Sequence, residues 1–310
     1  MLSYLGKRFL FLIPLWLGIS LIVFLFLQLT PGDPAEILLR KEGIEPTREA
    51  IEAVRRKMGL DDPPYLQYGR WIWKVVHLDL GNSYRTGEPV AKELFTRLPA
   101  TLELTFASFF LMVLLSLSAG ILSAMKAYGR FDRMGIALAI FGASIPSFWL
   151  GLLLIYLFSV KLGWFPVMGR GSLIHLILPA LTLGFGTAVI QARLLRTSLG
   201  EVLRKDFIRV AMAKGLRRGR ILLRHALPNA LLPLLTTFGV VLGRLLGGAV
   251  IVETIFSWPG LGRLAVEAIL QRDYPVIQGY VLLTAFIFVL INLCVDVGYR
   301  LLDPRIELGR

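Results

Sequence analysis

Arg244 interrupts the apolar stretch 229–256 about halfway along, and Glu253 follows nine residues later. A charge inside a bilayer is costly, so it faces a bundle interior or a water-filled cavity and marks a functional position. At about 100° per residue the two side chains point to opposite sides of a helix, about 13 Å apart along its axis, and make poor partners. Arg244 is therefore expected to face the bundle interior or a water-filled cavity. There it either lines a pathway or makes an interhelical hydrogen bond or ion pair. Asn292 and Ser144 are the other pathway candidates, and the Asn292 amide could equally join helices. Glu103, Glu253 and Asp296 fall near the ends of apolar runs, where a carboxylate reaches the interface.

Other chemistries lack their residues. No G-x-x-x-x-G-K-[ST] loop is present to cradle a nucleotide, and no G-x-S-x-G elbow to raise a nucleophile. His77, His175 and His225 are far apart and without a cysteine pair, so neither a catalytic centre nor a metal site has support. The lone Cys294, inside an apolar run, reads as a packed small hydrophobe. Small residues at Gly239, Gly243, Gly247 and Gly248 allow close helix contact.

The elements that must position these residues are membrane spans. Apolar residues make up 55% of the 310 positions and the mean hydropathy is +0.68. Six runs, 9–29, 101–124, 134–160, 172–195, 229–256 and 274–299, have about the ~20-residue length a spanning helix needs. The first is too long for a signal-peptide core and is followed by Thr30-Pro31-Gly32-Asp33-Pro34, not a cleavage site, so it is retained. Lys7 and Arg8 before the first run, Lys126, Arg130 and Arg133 after the second, and Arg300, Arg305 and Arg310 at the end place both termini in the cytoplasm. The expected fold is an all-α polytopic membrane protein. It has six transmembrane helices, a long extracytoplasmic insertion after the first, and a cytoplasmic segment between the fourth and fifth. Its parts are a first helix (1–30), the insertion (31–99) and a five-helix core (100–310).

Within the insertion, Thr47 is positioned to cap a helix with an Ile51, Val54, Met58 stripe, and Gly59 to end it. The stretch 65–78, with Trp71 and Trp73, is a second helix suited to a membrane interface. Residues 79–83 read as a turn and 88–97 as an amphipathic helix along the outer surface. Near the far end, 257–273 reads as an outer loop.

The net charge of +13 collects between the apolar runs, not on a soluble face, which argues against nucleic acid. Its densest part is 204–228, where Arg204, Lys205, Arg209, Lys214, Arg217, Arg218, Arg220 and Arg224 meet only Glu201 and Asp206. These charges mark the cytoplasmic side and suit contact with anionic lipid. A short helix before Gly215, a glycine break and a second helical run ending at Pro228 would make a compact docking element.

Here a family resemblance enters. Arg209-Val210-Ala211, Gly215 and His225-Ala226-Leu227-Pro228 resemble the E-A-A-x3-G-x9-I-x-L-P loop of ABC importer permeases. Arg209 stands for Glu, Val210 for the first Ala and His225 for Ile. The run Ala211 to Gly215, with Ala213 and Lys214, is similar to the dipeptide/oligopeptide/nickel subfamily. So are TPGDP at Thr30, DLGNS at Asp79, RLPATLEL at Arg97, ETIFSWPGLGRL at Glu253 and RDYP at Arg272. The early TPGDP and long insertion resemble the B-type member of the permease pair.

The resemblance implies a coupling segment of Asp206, Arg209, Ala211, Ala213, Lys214, Gly215, His225, Leu227 and Pro228, seated on a cytoplasmic ATPase. It implies two such ATPase subunits, which bind the ATP and magnesium, since this chain binds no cofactor. It further implies a second homologous permease in a heterodimer, an extracytoplasmic substrate-binding protein, and a bacterial or archaeal cell membrane. Peptides are the expected substrate, with nickel chelates or glutathione as alternatives. Two other readings stay open: a secondary carrier driven by an ion gradient, and a membrane assembly or signalling protein that moves nothing.

Overall fold

The computed structural model describes residues 2–29, 33–41, 45–125 and 144–302, with positions 129, 135, 137 and 142 between them. Thr30 to Gly32, Lys126, Arg130, Arg133, most of 134–143, Arg305 and Arg310 lie outside the described residues. The described residues form helices in the order α1 (Leu2–Leu29), α2 (Pro34–Lys41), α3 (Arg48–Met58), α4 (Pro64–Val76), α5 (Val90–Met125) and α6 (Ser147–Leu154). They continue with α7 (Leu173–Val202), α8 (Asp206–Ala213), α9 (Arg218–Ile221), α10 (Leu227–Ile255), α11 (Leu261–Leu270) and α12 (Tyr274–Leu302). The helix α6 widens into a π-helical stretch, Ile155–Lys161, and a second one, Leu222–Ala226, joins α9 to α10.

Among the described residues four helical stretches are long and apolar enough to cross a membrane: Val90–Met125, Leu173–Val202, Arg218–Ile255 and Tyr274–Cys294. Pro14–Leu29 and Ser147–Lys161 are shorter apolar helices, at the places of the first and third expected spans. The all-α membrane fold is thus present, with several boundaries moved. The expected surface helix at 88–97 is instead the start of α5, which runs through Pro99 unbroken. Val90, Leu94, Thr101, Leu104, Ser108 and Met112 are buried at three- to four-residue or seven-residue steps along it. That continuous packed stripe outweighs the roughly 3 kcal/mol an internal proline costs. Pro146 starts α6 as its N-cap residue and does not lie within a longer helix. The expected loop at 257–273 contains α11.

The chain divides into two compact units. The first, Met1–Pro99 with Arg263–Val289, carries the insertion. Thr47 caps α3 by accepting a hydrogen bond from the Ala50 amide, and Gly59 ends it with φ +67°. Against α1, α4 lays Tyr68 and Trp71, whose rings meet Phe24 at 5.4 and 6.3 Å. Tyr68 and Ser20 hydroxyls are 2.9 Å apart, and the Gln28 amide donates to Gln67.

The second unit, Ala100–Gly262 with Leu290–Arg310, is organised on α10 packed along α7, with α6 against both. One core cluster joins Leu104, Met112, Leu178, Leu183, Val241, Leu245, Val252, Phe256 and Trp258. A second joins Leu195, Leu199, Val202, Ile208, Ala211, Ile221, Ala226 and Leu234. Ser172 starts α7, its amide donating to His175 Nδ1 at 3.3 Å, so that histidine serves as a cap. Cys294 is a free thiol and exposed on α12, which corrects the expectation that it is packed.

Candidate functional site

The basic segment is built on its own small core. In α8, Ile208 and Ala211 are buried in one cluster with Leu195 and Leu199 of α7, while the opposite side carries Asp206, Arg209, Val210 and Ala213, all exposed. Phe207 and Met212 flank that side and are also exposed. Asp206 opens the helix, where a carboxylate complements the N-terminal dipole, and Arg209 Nη1 lies 3.3 Å from its Oδ1. Both side chains are well hydrated, so the pair adds little stability.

After α8 the chain reverses at Gly215, φ +74°. The Gly215 amide donates to Met212 O and the Leu216 amide to Ala211 O. A Cβ at Gly215 would touch nothing within 4 Å, so the requirement for glycine there is conformational. The expected second run does not end at Pro228. It passes from α9 through the π-helical stretch into α10, with Pro228 in the first turn of α10. Pro228 has no amide to offer the carbonyl four residues back, and the ladder upstream adopts the wider π pairing. Asn229 Nδ2 donates to His225 O at 2.7 Å. Leu227 is half-buried, Pro228 exposed, His225 half-buried and Lys214 exposed.

At the other end of α10 the structure collects residues distant in sequence. Glu253, expected near an interface, is fully buried. Thr101 Oγ1 of α5 donates to Glu253 Oε1 at 2.6 Å and accepts from the Leu261 amide at 2.7 Å. Trp258, also fully buried, donates from Nε1 to Ala100 O at 2.8 Å, and its amide donates to Glu253 O. A Cβ on Gly260 would lie 2.2 Å from Glu253 Oε1, so the tryptophan-glycine loop closes directly on the carboxylate. Arg170, ion-paired with Glu103 at 2.6 Å, sits 5.9 Å from the Trp258 ring.

A second buried carboxylate holds the first unit together. Asp273 accepts hydrogen bonds from Ser83 Oγ and from the amides of Tyr84 and Arg85. Burial, reinforced by the Asp273 charge and then Tyr274, pushes the Tyr84 phenol up to about 12. Beside it a cavity of about 880 Å³ is lined by Asp33, Arg55, Asp62, Arg70, Trp71 and Tyr84 among others. Hydrogen bonds that Arg55 donates to Asp61 and Asp33, with the Asp33 charge, hold its guanidinium above its ordinary pKa.

The pathway candidates do not meet inside one core. Arg244 is exposed, because Val241, Gly243 and Leu245 take the packed side of α10. Within this chain alone Arg244 is therefore not packed into a core. Arg244 belongs to an outward stripe with Thr236, Val240, Gly247 and Ile251. Ser144 is exposed and Asn292 half-buried. Among the described residues no group of three His, Cys, Asp or Glu is placed to hold a metal.

Sequence reasoning missed Phe207 and Met212 on α8, although apolar residues at helical spacing inside a basic segment are a readable signal. It also missed Thr101, for which no local signal exists.

Comparison with known proteins agrees with this architecture. Residues 116–308 match the family described as binding-protein-dependent transport system inner membrane component. Residues 1–105 match its N-terminal companion, the membrane component N-terminal family. The chain is 45% identical over 307 residues to the glutathione transport system permease protein GsiC of Escherichia coli strain K12, covering 99% of each. The same figures hold for GsiC of Pectobacterium atrosepticum. Among solved structures, the inward-facing MetNI methionine ABC transporter matches with a TM-score of 0.60 at 23% identity, over 70% of this chain and 99% of the other. An amino acid ABC transporter matches at 0.51 and 19% identity, over 70% and 95%. With both halves of the sequence matched and a helical core shared with transporter permeases, the chain belongs to the binding-protein-dependent inner membrane components and is a permease subunit of an ABC importer.

Proposed function

We propose that the chain forms half of a translocation pathway for short peptides, paired with a second homologous permease and driven by two ATPase subunits. ATP and magnesium bind in those subunits and this chain supplies no catalytic site. An extracytoplasmic binding protein delivers the substrate to the side that carries the insertion, residues 31–99. Both termini and the segment 204–228 lie in the cytoplasm of a bacterial or archaeal cell, as the basic residues of that segment favour. Glutathione, the substrate named for the 45%-identical relatives, is itself a short peptide and is the first substrate to test.

The observation that carries the coupling reading is α8. A two-turn helix is seated by Ile208 and Ala211 on its own chain and leaves Phe207, Val210, Met212 and Ala213 uncovered. Exposed apolar side chains on a rigidly backed helix suit insertion into a groove of a partner. In this arrangement Ala211 seats the helix and Ala213 lets the partner approach, while Gly215 sets the turn that orients it. Movement of the ATPases then passes through α8 and the π-helical stretch into α10.

Gly215 offers the sharpest test, because its surroundings have room and only its backbone is special. Gly215→Val should insert normally in the membrane yet lose most ATP-dependent uptake in liposomes containing the complete complex. Gly215→Asn should keep much of it, since asparagine tolerates the left-handed region. Full uptake by the valine variant would refute the coupling role.

A further inference from the structure

The apolar run of α1 ends at Leu29, and α4 is laid against its last turns. Tyr68 Oη lies 2.9 Å from Ser20 Oγ and 3.4 Å from Leu17 O, and Phe24 meets both Tyr68 and Trp71. Ser20 is nine residues before Leu29, hence about 13 Å along the helix axis. The docking face of α4 therefore reaches well into the apolar length of α1, and the other side of α4 sits beside the same stretch.

That other side is mixed: Arg70, ion-paired with Asp62, lies between Leu66 and Trp73, and the rest of it is largely apolar. Leu66, Gly69, Trp73 and Val76 recur at helical spacing, and Trp73 and Val76 are each 68% exposed. Tyr65 extends the patch at one end and Leu78 at the other, with Leu78 87% exposed and held at φ +61°. A leucine in the left-handed region is strained even before its hydration is counted. The His77 ring lies tilted against Trp73 at 4.6 Å, giving the patch an aromatic body with a polar tip. Lys74, on a long stem beside the patch, can hold its charge toward water. The side of α1 turned away from α4 carries Ile22, Leu25 and Leu29, all exposed.

We propose that the face of α4 bearing Leu66, Trp73 and Val76 rests in the lipid–water boundary of the bilayer, anchoring the segment that follows α1. The occupant of this face is lipid because the patch lies at the depth of a membrane-spanning helix. Its tryptophan, tyrosine and histidine also match the amphipathic composition of an interfacial belt. Burying Val76 and Leu78 among acyl chains removes exposed apolar surface from water. The inference rests on α1 crossing the membrane and is independent of coupling through α8.

The test uses the full-length chain, co-purified with its partner subunits and reconstituted in phosphatidylethanolamine–phosphatidylglycerol vesicles. Cys294→Ser removes the native thiol, and Val76→Cys then carries a spin label whose collisions with oxygen and with a water-soluble nickel chelate are compared. Labels at Ile22→Cys and Glu52→Cys serve as bilayer and water references. Position 76 should favour oxygen over the chelate several-fold more than position 52 does, and less than position 22. Chelate access equal to that at position 52 would place α4 in water and overturn the proposal. Exclusion of both reagents would show a protein covering the patch and overturn it equally. An Ile22 label open to the chelate would overturn the spanning position of α1 and this inference with it, leaving the coupling test at Gly215 untouched.

Discussion

Gly260 and Glu253 are fitted to one another at atomic scale. The carboxylate is removed from water, held by the Thr101 hydroxyl, and covered by a loop whose glycine leaves no space for a side chain. Gly260→Ala should destabilise the solubilised protein by about 1–3 kcal/mol, the usual range for overpacking. The atoms it strikes belong to Glu253, so the loss should shrink in a Glu253→Ala background, where those atoms are gone. Thermal midpoints of the two single variants and the double variant measure that non-additivity. Equal shifts in both backgrounds would mean that the contact does not carry the effect. The same pair shows what local sequence cannot reveal. A glutamate near the end of an apolar run looks interfacial, since its burial depends on Thr101 and on Trp258 reaching back to Ala100. Asp273 is a parallel case, because its partners Ser83 to Arg85 lie almost two hundred residues away. The motifs around Asp79 and Arg272 stood out as family landmarks, but nothing in either stretch said that one wraps the other.

At the scale of elements, the long helices were legible because uncharged runs of bilayer length have few alternatives to helix. Their ends were less so. Pro99 and Pro228 stand at expected ends, yet α5 runs through Pro99 and α10 contains Pro228, since buried stripes continue on both sides of each proline. At Pro146, by contrast, a helix does begin. The proposed docking role gives α8 two sides with different duties, and substitutions should separate them. Ile208→Ala removes a fully buried side chain and should cost about 2–5 kcal/mol, read as a lower thermal midpoint in detergent. Phe207→Ala with Val210→Ala should leave that midpoint nearly unchanged and reduce recovery of the ATPase subunits with the complex. If the pair instead lowers the melting temperature as Ile208→Ala does, those side chains serve the fold of this chain and not its docking.

At the scale of the whole molecule, α10 carries a packed side and an outward side. Its packed side carries Gly239, Val241, Gly243, Leu245, Ala249 and Val252, which lets α10 lie close along α7. Its outward stripe carries Thr236, Val240, Arg244, Gly247 and Ile251. An arginine directed at hydrocarbon from the centre of a spanning helix costs about 3 kcal/mol even on insertion scales. That stripe is therefore expected to be covered by a second permease or to border a water-filled pathway once the complex forms. Arg244→Leu separates these demands from the demands of folding. In cells making this chain alone, the leucine variant should accumulate to a higher level than the unmodified chain, because the uncovered charge is gone. In the assembled complex the same variant should reduce uptake while the melting temperature holds, and Arg244→Lys should retain part of the activity. Unchanged uptake by Arg244→Leu would place the arginine outside both pathway and subunit interface. A fall in lone-chain abundance would mean that the charge already has a favourable environment without any partner.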